Sequence, residues 1–416
     1  MSMIEDLITK MCPDGVKTYT LGDIGDTVSG LRGKSKSDFT DGNAPYVSYV
    51  DISNNPALNF DVQKLVKVGA VENQNEIRLG DVLITGSSET RIDVGLTSVV
   101  TVKPKLKTYL NSFCFIWRPN KDIGLLPGFS RHLFRGQEFR DKVIETANGV
   151  TRQNISKPKL LAIRIPVPPV EIQNEIVAIL DKFTELEAEL EAELEARRKQ
   201  YEFYRESLFG HASDAFELKA IADIATIWRG RRFVKDDIRE EGVPAVHYGE
   251  IYTKYGLEAS EAFSFLDPEL AARLRYAKSG DVILVSAGET IEDIGKSFAW
   301  FGKENVVIHD ACYGLRSSTV DPKYMVHFFN TYNFRSQLRM FISSSKISAV
   351  STEKLGKVLI PVPKLERQKE IANMLDGFDA VIMSVSEGLP AEIRARHQQY
   401  EYYRNKLLTF KELDVA

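Results

Sequence analysis

The chain repeats itself at a distance of nearly half its length. Ile165-Pro166-Val167-Pro168 returns as Ile360-Pro361-Val362-Pro363, 195 positions later, and a long helical pattern follows in both places. Each helical pattern closes with a tyrosine-rich segment, at residues 201–205 and 400–404. A repeat this long is a duplicated domain with its helix rather than a small solenoid unit. A chain with two similar halves is expected to recognise something that also has two halves.

The duplication extends upstream of the helices, into the modules themselves. Gly80-Asp81-Val82 matches Gly280-Asp281-Val282, and Leu21-Gly22-Asp23 matches Ile221-Ala222-Asp223. Between such anchors the copies differ freely, above all in the loops that follow Gly30 and Gly230. A shared scaffold with divergent loops indicates two modules of one fold that read different targets.

The composition is that of an ordinary globular protein. The 416 residues suggest two domains with connecting segments, and 43% of the residues are hydrophobic and 27% charged. No apolar run reaches 18 residues, and the first residues lack a basic, apolar leader, so we expect a cytoplasmic protein. The three cysteines are too few for a disulfide framework, and we expect the repeat mates Cys114 and Cys312 to be buried.

Both modules have the mixed pattern of an α/β fold. Short β-rich runs lie at residues 82–85, 97–102 and 282–285, and helical stretches are predicted at residues 129–146 and 322–341. The Ile-Pro-Val-Pro segments should be extended, because residues before proline avoid helical geometry. The predicted segments are a globular module at 1–165, a central helix at 166–212, a second module at 213–360 and a distal helix at 361–416.

A long apolar stripe follows each module. From residue 171 to about 208 apolar side chains recur at three- and four-residue spacing. Such a helix measures on the order of 55 Å, more than one module needs for its own core. We predict that the two stripes form an antiparallel pair separating modules related by an approximate twofold axis; packing of each helix on its own module alone is the alternative. The predicted packing residues are Phe183, Leu186, Leu190, Leu194, Tyr201, Tyr204, Phe378, Ile382, Tyr400 and Tyr403.

Three tetrads of strong helix formers lie within the first helix. They begin at Leu186, Leu190 and Leu194, and each reads Leu-Glu-Ala followed by an acidic or basic residue. One tetrad adds about 6 Å of helix, and B-DNA rises about 3.4 Å per base pair. Adding or removing a tetrad should therefore change the distance between the modules by about one or two base pairs. The second helix has Gly388-Leu389-Pro390 instead, which should break it, with Pro390 opening a new helical segment.

These features together resemble the specificity subunit of type I restriction-modification systems. The shared order is a variable module, Ile-Pro-x-Pro with a following glutamine (Gln173 and Gln368), a long helix, a second variable module and the same ending. The tetrads and the segment from Gly388 to Ile393 are similar to the subgroup whose central helix carries a tetrad repeat. The resemblance covers essentially the whole chain.

The resemblance implies two target recognition domains, each of which reads one half of a bipartite, asymmetric site in double-stranded DNA. It implies that the helix pair sets the gap between the halves and docks two methyltransferase subunits, which use S-adenosylmethionine to methylate adenine N6. Up to two restriction subunits, motor-nucleases that use ATP and Mg, can join the complex. It also implies that this chain binds none of these cofactors and performs no chemistry.

The residues agree with a non-catalytic role. A Walker A motif would need glycine where Val28 and Thr290 stand, and no Asn/Asp-Pro-Pro-Tyr/Phe methylase motif is present. The six histidines are scattered without the spacing of metal ligands, so no metal site is predicted. Two other classes stay open: a tandem coiled-coil scaffold that touches no DNA, and a fused enzyme with an unrecognised active site.

The net charge of −4 is unusual for a DNA-binding protein, but it is unevenly distributed. Residues 170–209 hold eleven acidic and five basic side chains, so the rest of the chain sums to +2. Basic loops beside glycine suit phosphate contact, and arginine can also read guanine edges; ordinary solvated surface or turn-capping residues are the alternative. The DNA-binding candidates are Arg32, Lys34, Lys36, Arg91, Arg152, Gln153, Arg229, Arg231, Arg232, Lys235 and Lys346, and two further basic clusters are Lys103, Lys105 and Lys107, and Arg131, Arg135 and Arg140.

Overall fold

The two copies of the repeat fold into two units that share most of their order of elements. The computed structural model describes residues 2–60, 64–343, 347–383 and 388–413. Unit 1 comprises Met1–Leu190 with Ile393–Ala416, and unit 2 comprises Glu191–Glu392. The boundary crosses both long helical segments, so each unit holds one module together with parts of both. The four-segment division at residues 165, 212 and 360 stays a prediction.

Unit 1 is a mixed α/β module built on an antiparallel sheet. Its strands are β1 Thr18–Thr20, β2 Gly25–Ser29, β3 Ala44–Val47, β4 Leu65–Val66, β5 Val82–Thr85, β6 Ser87–Ser88, β7 Thr97–Val99, β8 Tyr109–Leu110, β9 Cys114–Pro119, β10 Ala147–Asn148, β11 Gln153–Ile155 and β12 Arg164–Pro166. Its helices are α1 Ser2–Met11, α2 Leu21–Ile24, α3 Tyr49–Asn54, α4 Pro127–Leu133, α5 Gln137–Glu145 and α6 Lys157–Leu161. The main sheet has the order β2-β9-β5-β7.

The core of unit 1 lies between this sheet and the helices. All four residues of β5 are buried, as a short continuous apolar strand requires. Trp117 of β9 is fully buried, and its indole N–H donates to the carbonyl of Leu21 at 3.1 Å. β1 pairs with β12, with Tyr19 opposite Ile165, so the module closes on the extended Ile-Pro-Val-Pro segment, as predicted.

Three predicted stretches are shorter in the structure: two helices are each divided in two, and one strand ends early. The helix predicted at 129–146 is divided into α4 and α5, because Gly136 is extended and caps α5. The helix predicted at 322–341 is divided in the same way, because the Thr331 side chain accepts from the N–H of Phe334 and starts a new helix. The strand predicted at 97–102 ends at Val99, which lies opposite Val82, the first residue of its antiparallel partner β5, so no pairing residue of β5 extends beyond it.

The central helix, α7, spans Val170–Ala215 and has 46 residues, so it continues beyond the apolar stripe, which ends at about residue 208, and beyond the predicted segment at 166–212. Its residues up to Leu190 belong to unit 1, and those from Glu191 onward belong to unit 2. Phe209, just beyond the apolar stripe, is buried in the core of unit 2. This part of the helix therefore contributes to the core of the second module.

Unit 2 repeats this architecture around a five-stranded sheet. Its strands are β13 Leu218–Ala220, β14 Thr226–Arg229, β15 Val243–Val246, β16 Glu258–Ala259, β17 Ser264–Leu266, β18 Tyr276–Ala277, β19 Val282–Val285, β20 Ala287–Gly288, β21 Ser297–Trp300, β22 Val306–Ile308, β23 Cys312–Arg316, β24 Ser348–Ala349 and β25 Leu359–Pro361. Its module helices are α8 Ile221–Ile224, α9 Tyr248–Ile251, α10 Pro268–Ala271, α11 Pro322–Phe329, α12 Tyr332–Arg339 and α13 Thr352–Gly356. The main sheet has the order β14-β23-β19-β21-β16, and β13 pairs with β25 as β1 pairs with β12.

The distal helix is interrupted, as the sequence predicts. α14 spans Leu365–Met383 and α15 spans Leu389–Leu408. Gly388 has a φ of +79°, a conformation that suits glycine, and Pro390 lies in the first turn of α15. Residues 384–387, which directly precede the predicted break, lie outside the described residues.

Two further expectations concern the burial of the cysteines and the absence of a membrane-spanning helix. Cys114 and Cys312 are buried, as expected, and Cys12 is half-buried; none of the three is in a disulfide. Within the described ranges, no helix combines the length and apolar character that crossing a bilayer requires.

Candidate nucleic-acid interface and helix junctions

One edge of the main sheet in unit 1 gathers loops that are distant in sequence. Ser29 at the end of β2 lies opposite Phe115, and Thr85 at the end of β5 lies opposite Cys114 at the start of β9. This antiparallel register brings the loop at 30–36, the loop at 86–94 and the turn at 111–113 to the same edge. β6 pairs with β11, which adds the turn at 149–152. We call these four segments the loop edge of unit 1.

The loop edge displays several of the predicted cations. Arg32, Lys36, Arg91 and Arg152 are all exposed. The guanidinium of Arg152 lies over the exposed ring of Phe113, 5.7 Å from its centroid. Gln153 lies in β11, and its amide donates to the carbonyl of Gly149 at 2.6 Å. The topology therefore brings predicted candidates from three separate loops onto one surface.

Lys34 is the exception in this group, because it is tied into the module. Its ammonium lies 2.6 Å from a carboxylate oxygen of Glu72, and its side chain is only 7% exposed. Hydrogen bonds from Lys34, Gln74 and the N–H of Gly69 lower the pKa of Glu72 to about 2. Gln74 also accepts from the N–H of Arg32 and donates to its carbonyl, at 3.0 and 2.8 Å. Lys34 thus fixes the loop to the rest of the module through Glu72, whereas Arg32 of the same loop is exposed.

Unit 2 has an equivalent loop edge, which we define as residues 230–237, 286–295 and 309–311. Arg229 lies opposite Tyr313, and Val285 lies opposite Cys312, so the loops leave the sheet at matching positions. Arg231, Arg232 and Lys235 are exposed in the first of these loops, and Arg229, the last residue of β14, is exposed next to it. Arg229 donates to the carbonyl of Asp310 at 2.7 Å, and Arg231 donates to the carbonyl of Arg273 at 2.6 Å. Lys346 lies outside the described residues.

The cluster of Arg131, Arg135 and Arg140 is not a surface patch. Arg135 donates to the carbonyl of Thr97 at 2.8 Å and to that of Ile52 at 2.7 Å, and burial lowers its pKa to about 10. Arg140 donates to two carbonyls of the loop at 92–94, and Arg131 pairs with Asp181. These arginines satisfy buried backbone carbonyls and join elements, so their interpretation as a possible phosphate-binding cluster is corrected.

In unit 1 a buried histidine joins the module to both long helices. His132 of α4 lies with Nε2 2.7 Å from Asp181 of α7 and with Nδ1 3.0 Å from the hydroxyl of Tyr400 in α15. Burial lowers the pKa of His132. A neutral imidazole satisfies both neighbours, because its single N–H donates to the carboxylate and its bare nitrogen accepts from the hydroxyl.

Unit 2 repeats this junction with its own residues. His327 of α11 lies 2.8 Å from Asp376 of α14 and 3.4 Å from the hydroxyl of Tyr201 in α7. His132 and His327, like Asp181 and Asp376, are separated by 195 positions, the shift of the Ile-Pro-Val-Pro repeat. The sequence interpretation treated the histidines as scattered; comparing them at this shift would have revealed the pair.

The glutamine that follows each Ile-Pro-x-Pro segment is a second buried junction. Gln173 accepts from the N–H of Leu126 and donates to the carbonyls of Gly124 and Pro168, each at 2.8 Å. Gln368 makes the same three kinds of bond in unit 2. Both side chains are fully buried. Each glutamine therefore fixes the start of a long helix against its module.

The predicted packing residues fall into two groups. In unit 1 Phe183 stacks on Tyr403, and Glu187 lies 2.9 Å from His397, so α7 and α15 run antiparallel there. In unit 2 Tyr201 and Tyr204 contact Phe378, at 6.4 and 5.3 Å between centroids. Tyr201, Tyr400 and Ile382 are buried, Leu190 and Leu194 are half-buried, and Leu186 is 37% exposed.

The described residues offer no group of three or more histidine, cysteine or acidic side chains placed to hold a metal ion.

Comparison with known proteins identifies two copies of one family domain. Residues 13–196 and 213–395 each match the type I restriction modification DNA specificity domain. The type I restriction enzyme specificity subunit S.HindORF215P of Haemophilus influenzae is 32% identical over 274 residues, which cover 63% of this chain and 68% of that protein. The EcoR124I/EcoR124II specificity subunit of Escherichia coli is 30% identical over 267 residues, 62% of this chain and 66% of that protein.

A solved structure supports the same fold over nearly the whole chain. It comes from work on complex assembly and conformational transition of the type I R-M system, and it matches with a TM-score of 0.64 at 16% identity. The match covers 95% of this chain and 98% of that chain.

Proposed function

Since the chain belongs to the type I restriction modification DNA specificity family, we propose that it reads a bipartite site in double-stranded DNA, with one half-site per module. The observation that carries this proposal is the duplicated loop edge. Each unit has exposed arginines and lysines on divergent loops at the equivalent edge of its own main sheet. Cations at such an edge can hold phosphates, while arginine and glutamine side chains can contact base edges in the major groove.

In this proposal the long helices set the gap between the half-sites. The three tetrads of α7 contain the boundary between the units, which falls after Leu190. A helix is a stiff spacer, so its length would be transmitted to the modules at each end. Because of these three tetrads, we also propose that the chain belongs to the subgroup of specificity subunits whose central helix carries a tetrad repeat.

The chain itself is proposed to be non-catalytic and cytoplasmic. Two methyltransferase subunits would dock on the helix pair and bring S-adenosylmethionine, and up to two restriction subunits would bring ATP and Mg. The junctions at His132 and His327 would fix each module on the helices, so that a bound half-site is presented to the methyltransferase in one orientation. A scaffold that binds no DNA is disfavoured by the family match and by both loop edges.

Long-read detection of modified adenines tests the proposal. A host that carries the methyltransferase genes would be sequenced with and without this chain. The proposal predicts one methylated motif made of two defined halves and a fixed undefined gap, present only with the chain. Identical methylation in both hosts would reject it.

A further inference from the structure

The turn at 111–113 in unit 1 holds an aromatic ring on the loop edge. Phe113 is 63% exposed, although Cys114, the next residue, is buried. The backbone of Phe113 is fixed on both sides, because its N–H donates to the side-chain oxygen of Asn111 at 2.9 Å and its carbonyl accepts from the N–H of Gly86 at 3.1 Å. The ring is therefore carried by a turn that is bonded to the neighbouring loop.

A second loop holds the ring from one face. The guanidinium of Arg152 lies over Phe113, and a cation in this position is attracted to the aromatic ring. In the same turn, at 149–152, the side chain of Val150 is fully exposed. The loop edge of unit 1 thus carries apolar side chains among its exposed cations.

The ring is a difference between the two copies, while the turn that carries it is shared. Phe113 and Ala311 each precede the cysteine that the copies have in common. The N–H of Ala311 donates to Nδ1 of His309 at 3.1 Å, just as the N–H of Phe113 donates to Asn111. The second module therefore forms the same turn without an aromatic ring. A large exposed side chain that the turn does not need indicates a role in binding.

The chemistry of the ring limits what it can contact on DNA. A phenyl group has no charge and no hydrogen-bond donor or acceptor, so it can neither pair with a phosphate nor bond to the polar groups of a base edge. In the major groove the apolar group on a base edge is the C5 methyl of thymine, and phenylalanine is one of the side chains that contact it. Because Phe113 is already held by its turn and by Arg152, it loses little conformational freedom in such a contact.

We propose that Phe113 is a specificity-determining residue that packs against the C5 methyl of one thymine in the half-site read by the first module. This contact rests on the proposed function, because it takes the loop edge as the surface that faces DNA. The exposed cations of the same edge would hold the flanking phosphates and so keep the ring in the groove. Ala311 has only a methyl group at this place and reaches less far from the turn, so we expect no equivalent contact in the second half-site.

The test uses the full chain in complex with its methyltransferase subunits, and DNA duplexes that carry the methylated motif. The first half-site is the one that changes when residues 20–165 are exchanged. Each thymine of both half-sites is replaced in turn by uracil, which removes only the C5 methyl, and affinity is measured by fluorescence anisotropy. We expect one uracil in the first half-site to lower the affinity about fourfold, the effect of exposing one buried methyl-sized group. Phe113→Ala should bind the thymine and uracil duplexes of that position equally well.

Two further variants separate the thymine contact from general damage. Phe113→Leu keeps an apolar side chain and should keep a difference between thymine and uracil. Phe263→Ala is the matched control in the second module, because Phe263 is 53% exposed and Lys254 lies over its ring, 5.4 Å from the centroid. Phe263 follows β16, which runs parallel to β21 and so ends away from the loop edge of unit 2. This variant should keep the uracil sensitivity of the unaltered chain.

The outcomes distinguish this contact from the proposed function. If no uracil in the first half-site lowers the affinity, or if the sensitivity persists in Phe113→Ala, the thymine contact is wrong while the proposed function stands. If Phe113→Ala weakens every duplex and the unaltered chain does not distinguish thymine from uracil, the ring contacts sugars or stacks between bases, and the proposal is overturned. If the complex binds no bipartite site, the proposed function fails and the thymine contact fails with it.

Discussion

The imidazole Nε2 of His132 lies 2.7 Å from a carboxylate oxygen of Asp181 and so joins α4 of the first module to α7. Burial lowers the pKa of His132 from its ordinary value of 6.5. Burial acts to raise the pKa of Asp181, but hydrogen bonds from His132 and Arg131 outweigh it, and the pKa is lowered. The junction therefore holds a neutral histidine against a charged carboxylate, and acid should weaken it in two stages.

The first prediction concerns this acid sensitivity. Because the folded-state pKa of His132 is lowered, the unfolded chain takes up this proton more readily than the folded chain. The contribution of His132 to the free energy of unfolding is therefore fully present above pH 6.5 and falls as the pH drops below that value. The contribution of Asp181 is lost only further down, below its ordinary 3.8. Urea unfolding followed by tryptophan fluorescence should show a decline of up to ~1.4 kcal/mol per pH unit for this histidine, and His132→Gln should reduce that slope.

Tyr400→Phe is the matched control for this slope. It removes the hydroxyl that lies 3.0 Å from His132 but leaves the imidazole buried, so it should lower stability at every pH and keep the slope. An unchanged slope in His132→Gln would show that the acid sensitivity arises elsewhere.

The second prediction concerns the buried glutamine of the first junction. Gln173→Ala leaves the N–H of Leu126 and the carbonyls of Gly124 and Pro168 without this partner. We expect a loss of about 2–4 kcal/mol in the free energy of unfolding, since unsatisfied buried groups cost about 1–3 kcal/mol each. Gln398→Ala, at an exposed position of α15, should change stability little. Equal midpoints for the two variants in urea would contradict the junction.

The third prediction concerns the loop edge of unit 1. Arg32→Ala or Arg152→Ala should weaken DNA binding by the assembled methyltransferase complex and should lower the slope of log affinity against log salt by about one if the residue contacts a phosphate. Lys10→Ala, an exposed cation on α1, is the control. Affinity measured over a salt series by fluorescence anisotropy decides, and slopes that match the control would remove these arginines from the interface.

The fourth prediction concerns the tetrads of α7. Deletion of residues 190–193 shortens the helix by about 6 Å and should shorten the preferred gap between the half-sites by one or two base pairs. The double substitution Glu191→Gln with Glu193→Gln keeps the length and should keep the gap. Gel shifts on half-sites at varied spacing measure both, and an unchanged gap in the deletion would end the spacer hypothesis.

Sequence reasoning predicted what periodicity and repetition encode, and it missed what depends on three-dimensional contact. The buried strands, the long helices and the break at Gly388 follow from local patterns. The partners of Lys34 and Arg135 do not, because Glu72 and the carbonyl of Thr97 are separated from them by 38 residues each. A basic side chain on a loop and one that satisfies a buried carbonyl look alike in sequence. Only the repeat shift could have singled out His132 and His327 in advance.

The most direct test of the central claim replaces residues 20–165 with the first module of another family member and maps adenine methylation by long-read sequencing. If each module reads one half-site independently, one half of the methylated motif changes to that of the donor, while the other half and the gap stay the same. A motif that stays unchanged, or one that changes in both halves, would contradict the account.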